Sequence, residues 1–124
     1  MKELIKKMKN GLAPCCKLWL SSDGLKSAFG GGKFRILQAI DEKGSLRGAC
    51  TLLGISYRKA WGDLKQAEKG LGLSLVVRSR GGNYGGGTYL TCEGKQILKA
   101  YSAFHREVKK KIKKSFEKHF GGPQ

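Results

Sequence analysis

Two helices joined by a tight turn are predicted over residues 44–72, and this pattern constrains the fold more than any other in the chain. Ser45 and Ser56 are placed to cap the two helices, because a serine hydroxyl can accept an unsatisfied backbone N–H at a helix start. Gly54 can end the first helix in a left-handed conformation, and Ile55 then fills the turn. Apolar residues recur in both segments at helical spacing, as Leu46, Ala49, Cys50 and Leu53, then Ala60, Trp61, Leu64, Ala67 and Leu71.

The second helix of this pair also carries a basic face. Its basic residues lie between the apolar positions and are Arg58, Lys59, Lys65 and Lys69. A helix-turn-helix presents its recognition helix to the major groove of DNA in this way, with an apolar stripe holding the helix and basic residues opposite. An ordinary helical hairpin with a solvated basic face has the same pattern. The stretch therefore leaves both interpretations open, and the rest of the chain decides between them.

The balance of charge narrows the choice of partner. The chain of 124 residues has 25 Lys and Arg against 9 Asp and Glu, a formal net charge of +16 at pH 7. A field of this sign favours polyanions, nucleic acid first and an anionic membrane surface second. No apolar run approaches the roughly 20 residues that span a bilayer, and the basic N-terminus lacks the apolar region of a signal peptide. We therefore expect one cytoplasmic domain that binds double-stranded DNA and no membrane.

The four cysteines and two histidines have neither the spacing of a disulfide framework nor that of a metal site. Cys15 and Cys16 are adjacent, Cys50 falls on the apolar stripe, and Cys92 begins a predicted helix. The chain also offers no Ser-His-Asp spacing and no carboxylate pair flanking a plausible cleft. We therefore expect no metal, no cofactor and no catalytic activity.

An antiparallel strand pair and a further helix are predicted ahead of the helix pair. Residues 17–21 alternate as a strand does, and residues 25–29 can return as its partner after a Ser-Asp-Gly turn signal. Three glycines then precede a helix that ends at Gly44. The apolar residues of that helix are Phe34, Leu37 and Ile40. Residues 1–12 can form a short amphipathic helix, which needs another element to pack on.

The Gly32-Lys33 pair in this region does not form a phosphate-binding loop. Such a loop needs a glycine separated from the pair by four residues, and a serine or threonine directly after the pair. This chain has Ser27 and Phe34 at those two positions. We expect these glycines to let the chain reverse tightly into the helix.

A β-hairpin with a glycine-rich tip is predicted after the helix pair. Residues 74–79 and 88–91 have the composition of two short strands, and residues 81–87 contain five glycines. Glycine removes side-chain bulk and permits positive φ, so that backbone N–H groups can approach phosphates. A surface loop has the same composition, but the position after a recognition helix and the flanking Arg78 and Arg80 favour the wing of a winged helix-turn-helix.

A long final helix is predicted from about residue 93 to about residue 119, with Thr91 as its cap. Its other faces are mostly basic, and its apolar stripe consists of Ile97, Tyr101, Phe104, Val108, Ile112 and Phe116. A stripe of this length extends beyond a small domain, so the same helix of a second copy is its simplest partner. We therefore expect a homodimer formed through Tyr101, Phe104, Val108, Ile112 and Phe116.

Together these elements predict an α+β fold, a winged helix-turn-helix with an N-terminal β-hairpin and a long C-terminal dimerisation helix. The expected divisions are a basic extension at residues 1–16, the winged helix-turn-helix at 17–92, the dimerisation helix at 93–120 and a tail at 121–124. No internal repeat is visible, so the chain is expected to be one compact unit with a dimerisation arm.

Two motifs resemble the N-terminal DNA-binding domain of the molybdate-responsive ModE family. The first is GISYRKAW at residues 54–61, and the second is the pattern GG-x-x-GGG-x-x-LT-x-x-G at residues 81–94. More distantly, the pattern is similar to the LysR-type winged helix. The resemblance covers residues 17–116 and implies a winged helix-turn-helix that dimerises through its last helix and binds a palindromic operator.

The resemblance also implies which residues contact DNA. They are Ser56, Tyr57, Arg58, Lys59 and Lys65 on the recognition helix, and Arg78, Arg80, Asn83 and Tyr84 on the wing. Arg47 on the preceding helix is a further candidate, whereas Ala60 and Trp61 fall on the core side. ModE proteins carry oxyanion-binding domains after this one, and the chain reaches Gln124 without a β-rich segment to form them. We therefore expect no small-molecule effector site in this chain.

Two other functions fit part of the sequence. A non-specific architectural DNA-binding protein would have the same charge, with an affinity nearly independent of base sequence. A peripheral membrane or protein-interaction module would use the amphipathic basic ends, and would still bind anionic vesicles without residues 80–87. The resemblance favours a sequence-specific transcription regulator over both.

Overall fold

The structure, a computed structural model, describes residue 7, residues 12–79 and residues 87–121. Its elements are β1 (Trp19–Ser22), β2 (Leu25–Gly30), α1 (Gly31–Lys43), α2 (Leu46–Leu53), α3 (Tyr57–Leu71), β3 (Val76–Arg78), β4 (Thr88–Leu90) and α4 (Cys92–Phe120). This order confirms the predicted α+β fold and its winged helix-turn-helix. Of the described residues, 17–101 form one compact unit, and the others belong to a second. Most of the helix predicted at residues 1–12 lies outside the described residues.

The ends of the helices follow the predicted capping pattern. The side chains of Ser45 and Ser56 each accept a backbone N–H from three residues further on, at 2.9 Å and 3.0 Å. Gly44, Gly54 and Gly72 follow α1, α2 and α3 with φ angles of 69°, 67° and 69°. This left-handed conformation suits glycine because it has no Cβ to clash with the backbone. The helix-turn-helix is therefore fixed at each helix end by local chemistry.

The core of the first unit is formed by α1, α2 and α3 together with the strand residues that pack on them. Its largest fully buried side chains are Phe29, Leu37, Ile40, Leu64 and Leu75. The apolar stripes of α2 and α3 supply much of the remainder. Three stripe residues, Leu53, Trp61 and Leu71, are only partly buried and pack at the edge of the core. Leu53 and Leu71 are the last residues of their helices, and the side chain of Trp61 lies beneath a residue of β3.

The sequence predicts that the three consecutive glycines break the chain before α1, but in the structure β2 runs directly into α1. Gly30 is the last residue of β2 and has extended backbone angles, φ −166° and ψ −168°. A Cβ at this position would lie 3.0 Å from the Cβ of Trp19 on the paired strand β1. Gly31 and Gly32 belong to the first turn of α1. Glycine at position 30 thus allows the two strands to pair closely, rather than a reversal of the chain.

The wing strands are shorter than predicted and are anchored to the start of α4. β3 and β4 pair antiparallel over three residues each, with Val77 opposite Tyr89. Thr91 caps α4 by accepting the N–H of Gly94 at 2.9 Å, and its hydroxyl donates to the carbonyl of Ser74 at 2.6 Å. The predicted cap is therefore confirmed, and the same side chain also ties the helix start to the segment before β3.

Lys33 is a buried cation with a structural contact. Its side chain is only 8% exposed, and its Nζ donates to the carbonyl oxygen of Ser27 at 2.6 Å. Burial lowers the pKa of this ammonium below its ordinary value, and the charge of Asp63 partly opposes the shift. The Lys33 ammonium is therefore bound at the junction of β2 and α1 and is not available to contact a phosphate.

We expect the lowered pKa of Lys33 to make stability depend on alkaline pH. The folded chain binds this proton less tightly than the unfolded chain, so protonation opposes folding, and this penalty fades as the pH rises towards 10.5. Between about pH 8 and about pH 10, the free energy of unfolding should therefore rise more in the native chain than in Lys33→Met. Urea unfolding at the two pH values measures this, and parallel changes in both proteins would contradict it.

Candidate nucleic-acid interface

The turn between α2 and α3 is held by backbone and thiol contacts. The N–H of Ile55 donates to the carbonyl of Cys50 at 3.1 Å. The Cys50 thiol lies 3.8 Å from the carbonyl oxygen of Ser56, and burial raises the pKa of this thiol above its ordinary value. Cys50 is therefore a small core residue. These contacts fix the position at which α3 begins, and so the direction of its first turn.

The outer face of α3 carries the predicted recognition residues. Tyr57 is 46% exposed, and Arg58 and Lys59 follow it as exposed residues of the first turn. Among the described residues, Arg58 forms no hydrogen bond or ion pair. Lys59 forms an exposed ion pair with Asp63 at 3.2 Å. Arg58 is therefore the residue of this turn whose donors are most available to a ligand.

Lys65 lies two turns further along the same helix. Its Nζ is 3.6 Å from a carboxylate oxygen of Glu68 and 4.6 Å from the centroid of the Trp61 ring. The other carboxylate oxygen of Glu68 accepts the N–H of Leu75 at 2.7 Å. The charge of Lys65 is therefore partly compensated within the protein, although the side chain remains mostly exposed.

Arg78 does not extend freely from the wing. Its guanidinium carbon lies 4.0 Å from the centroid of the Trp61 ring and 5.7 Å from that of Tyr57. Its Nη2 also donates a hydrogen bond to the hydroxyl of Tyr57. Helical spacing predicts Trp61 on the core side and gives no indication of this contact with Arg78. The available signal was only the spacing of Tyr57, Trp61 and Lys65 by four residues, which puts their side chains in one row.

Arg47 lies beside the helix turn rather than on α3. It lines a shallow depression of about 520 Å³ together with Cys50, Thr51, Gly54, Ile55 and Tyr57. Arg80, Asn83 and Tyr84, the other predicted wing contacts, lie outside the described residues. Within residues 12–79 and 87–121, no group of three or more His, Cys, Asp or Glu side chains could hold a metal ion.

The predicted dimerisation residues fall into two groups. Tyr101 is only 4% exposed, and its hydroxyl donates to the carbonyl of Leu18 at 2.7 Å. Its ring packs against Phe29 and Phe34 at centroid distances of 5.2 Å and 5.0 Å. Tyr101 is thus a core residue of the first unit, which corrects its predicted place in a dimer interface. At Tyr101, α4 packs on the β1–β2 hairpin and on α1, so this side chain makes its contacts within the chain.

The remaining residues of that stripe belong to the second unit. Phe104 is 42% exposed, whereas Val108, Ile112 and Phe116 are half-buried. Phe104 is therefore the large apolar side chain of the stripe that is most accessible to another molecule.

In the part of the chain that the structure describes, no helix is both long enough and apolar enough to cross a membrane.

Comparison with known proteins matches this helix-turn-helix to a family and to several relatives. The family described as "Bacterial regulatory helix-turn-helix protein, lysR family" matches residues 32–95. The molybdenum transport protein ModE of Azotobacter vinelandii is 34% identical over 86 residues, which are 69% of this chain and 32% of that protein. The molybdenum-pterin-binding protein MopB of Rhodobacter capsulatus is 35% identical over 89 residues, 72% of this chain and 33% of that protein.

Two further comparisons agree with this match. The transcriptional regulator ModE of Haemophilus influenzae is 34% identical over 74 residues, 60% of this chain and 29% of its own. The crystal structure of ArgP from Mycobacterium tuberculosis aligns with a TM-score of 0.50 and 25% identity, over 63% of this chain and 28% of that one. The chain spans about a third of the length of these relatives, and none of them is named as an enzyme. The chain belongs to the lysR family of bacterial regulatory helix-turn-helix proteins, a family of DNA-binding transcription regulators, and its helix-turn-helix domain is of the ModE type.

Proposed function

We propose that this protein is a sequence-specific transcription regulator that binds a palindromic operator as a homodimer. The observation that carries this proposal is the first turn of α3, where the exposed Arg58 has no partner among the described residues. The opposite side of the helix is fixed in the core, because Ala60, Leu64 and Ala67 are buried. A rigid helix with unpaired donors on its outer face suits reading of bases in the major groove.

The residues of α3 have different roles in this proposal. Arg58 reads a guanine, because a guanidinium can donate two parallel hydrogen bonds to its O6 and N7. Tyr57 and Lys59 contact base edges or phosphates beside it, and Lys65 contributes its charge one turn beyond Trp61. Ser56, at the start of α3, lies near a phosphate, because a helix start combines free N–H groups with a positive dipole.

The flanking contacts come from the wing and from α2. Arg47 and Arg78 are proposed to hold the DNA backbone on the two sides of α3, and Arg80, Asn83 and Tyr84 to reach the minor groove or the backbone. These contacts carry little sequence information and set the register of the protein on the duplex. The net charge of +16 supports this part of the proposal, because phosphate neutralisation dominates affinity and makes it depend strongly on salt.

The homodimer is proposed to form through the apolar stripe of α4 beyond Tyr101. Phe104 is its most exposed member, and Val108, Ile112 and Phe116 continue the stripe at spacings of four residues. Two-fold symmetry then predicts two half-sites whose centres are about one helical turn, or a multiple of it, apart. A regulator of this kind acts where the DNA lies, so we propose a cytoplasmic location.

One experiment separates this proposal from a non-specific architectural role. The protein is used to select fragments from genomic DNA, and the selected duplex then competes with a scrambled duplex of equal length and composition at fixed salt. We expect a shared palindrome and a preference of about 1,000-fold or more for the selected duplex. An affinity nearly independent of sequence would instead favour the architectural role. The exposed cations of α4 are consistent with that role as well, and they include Lys109, Lys110 and Lys111.

We expect Arg58→Ala to reduce binding to the selected duplex by about 1–3 kcal/mol and to relax base preference at one position of each half-site. Lys110→Ala is the matched control, since it removes one exposed cation from α4. It should weaken binding to all duplexes slightly and reduce the salt dependence. Fluorescence anisotropy titrations on single-base variants of the duplex measure both. An equal loss on every duplex with Arg58→Ala would make this residue a phosphate contact.

A further inference from the structure

The side chains of Tyr57, Trp61 and Arg78 form a stack that joins the recognition helix to the wing. Tyr57 and Trp61 are one helical turn apart on α3, and Arg78 is the last residue of β3. The guanidinium of Arg78 lies over the Trp61 ring, 4.0 Å from its centroid, and donates to the Tyr57 hydroxyl. A cation over an aromatic face is attracted by the negative charge of that face. The stack therefore links residues that are 21 positions apart in the chain.

The base of the wing is held by β4, whose Thr88 and Leu90 are buried, and the contact of Arg78 adds a link from β3 to α3. The two strands pair over only three residues each, and an isolated hairpin of this size is marginal in water. Val76 packs against the edge of the core, whereas Val77 and Tyr89 are exposed. Arg78, the last residue of β3, contacts Trp61 and Tyr57 of α3 directly.

The stack also leaves part of Arg78 available. A guanidinium has five N–H donors, and the side chain of Arg78 is exposed. One donor is used by the Tyr57 hydroxyl. The side chain is thus held in one orientation, with further donors able to point outwards. A side chain already held in its binding conformation loses less conformational entropy when it contacts a ligand.

We propose that Trp61 is a positioning residue for DNA binding, which fixes Arg78 and Tyr57 so that α3 and the wing contact the duplex as one rigid surface. This rests on the proposed function. Arg78 then has two roles. It connects β3 to α3, and it is a pre-oriented phosphate contact. Trp61 itself touches no base, because its side chain packs at the edge of the core and the cations of Arg78 and Lys65 lie over its ring.

A double-mutant cycle on the full chain tests this inference, with the selected duplex as the probe. Trp61→Leu keeps an apolar side chain but removes the aromatic face, and Arg78→Gln removes the cation. We expect each change to weaken binding about tenfold, and the double variant to be no weaker than Arg78→Gln alone. Trp61→Phe should restore much of the loss, because it restores an aromatic face. Val77→Thr is the control, since Val77 is exposed beside Arg78, and its effect should add to that of Trp61→Leu.

Two further measurements keep the test decisive. The ring current of Trp61 should shift the NMR signals of the Arg78 side chain upfield in the free protein, and Trp61→Leu should abolish that shift. Tyr57→Phe removes a single exposed hydroxyl, and its effect on affinity should be smaller in the Arg78→Gln background, because the part that acts through Arg78 is already lost there. If the native protein binds the duplex but the effects of Trp61→Leu and Arg78→Gln add, the inference is wrong and the proposed function stands. If the native protein binds no DNA, the proposed function itself fails.

Discussion

Gly94→Ala is expected to destabilise this protein more than an added methyl group at any other glycine that the structure describes. A Cβ at position 94 would overlap the carbonyl oxygen of Leu75, which is a backbone atom and cannot swing away as a side chain can. Leu75 is itself fully buried, and its carbonyl accepts the N–H of Thr91 at 2.9 Å. The start of α4 or the segment before β3 must therefore move. We expect a loss of roughly 3–5 kcal/mol in the free energy of unfolding.

Urea unfolding measures this loss, and Gly62→Ala is the matched control. Gly62 lies inside α3, and a Cβ there would meet no atom within 4 Å. Alanine is a better helix former than glycine, so this variant should gain up to about 1 kcal/mol. The two substitutions add the same methyl group with opposite expected signs. A Gly94→Ala protein with an unchanged unfolding midpoint would show that the approach of α4 to Leu75 is not tight in solution.

Gly94 also shows which parts of the fold were predictable from the sequence. The caps at Ser45, Ser56 and Thr91 depend on backbone groups only three residues away, so the local sequence is sufficient to predict them. The need for glycine at position 94 depends on Leu75, which a different element brings close. The same holds for Gly30, where glycine is needed because the paired strand β1 lies close and not because the chain reverses there. Contacts between distant segments cannot be read from a local pattern.

The candidate site divides in the same way. The basic outer face of α3 follows from helical spacing, and the exposed Arg58 and Lys59 are where that spacing predicts. The position of Trp61 depends instead on β3, because Arg78 covers its ring. Tyr101 has the spacing of a surface stripe, but its hydroxyl is used by the carbonyl of Leu18. A helical pattern predicts which side chains share a face, and only the tertiary structure decides what that face meets.

Phe104→Asp is expected to separate the proposed homodimer into folded monomers. Phe104 is 42% exposed within its own chain, so the substitution should leave the fold of the monomer intact. In the dimer it would bury an unpaired carboxylate against an apolar surface, at a cost of at least about 2 kcal/mol, or about 30-fold in the dissociation constant. Sedimentation velocity over a range of concentrations measures the change. Variants at Ile112 are less informative, because this side chain is half-buried already.

Loss of the dimer should reduce binding to the palindrome far more than binding to a single half-site. Two linked recognition helices gain affinity from effective concentration, so separation should weaken palindrome binding about 100-fold or more, with half-site binding reduced only as much as in the control below. Ala103→Asp is the control, because it adds the same charge to an exposed residue of α4 that lies outside the apolar stripe. Both variants lose the same attraction to phosphates, so the difference between them reports the dimer. A Phe104→Asp protein that still sediments as a dimer would mean that this stripe does not join the two copies.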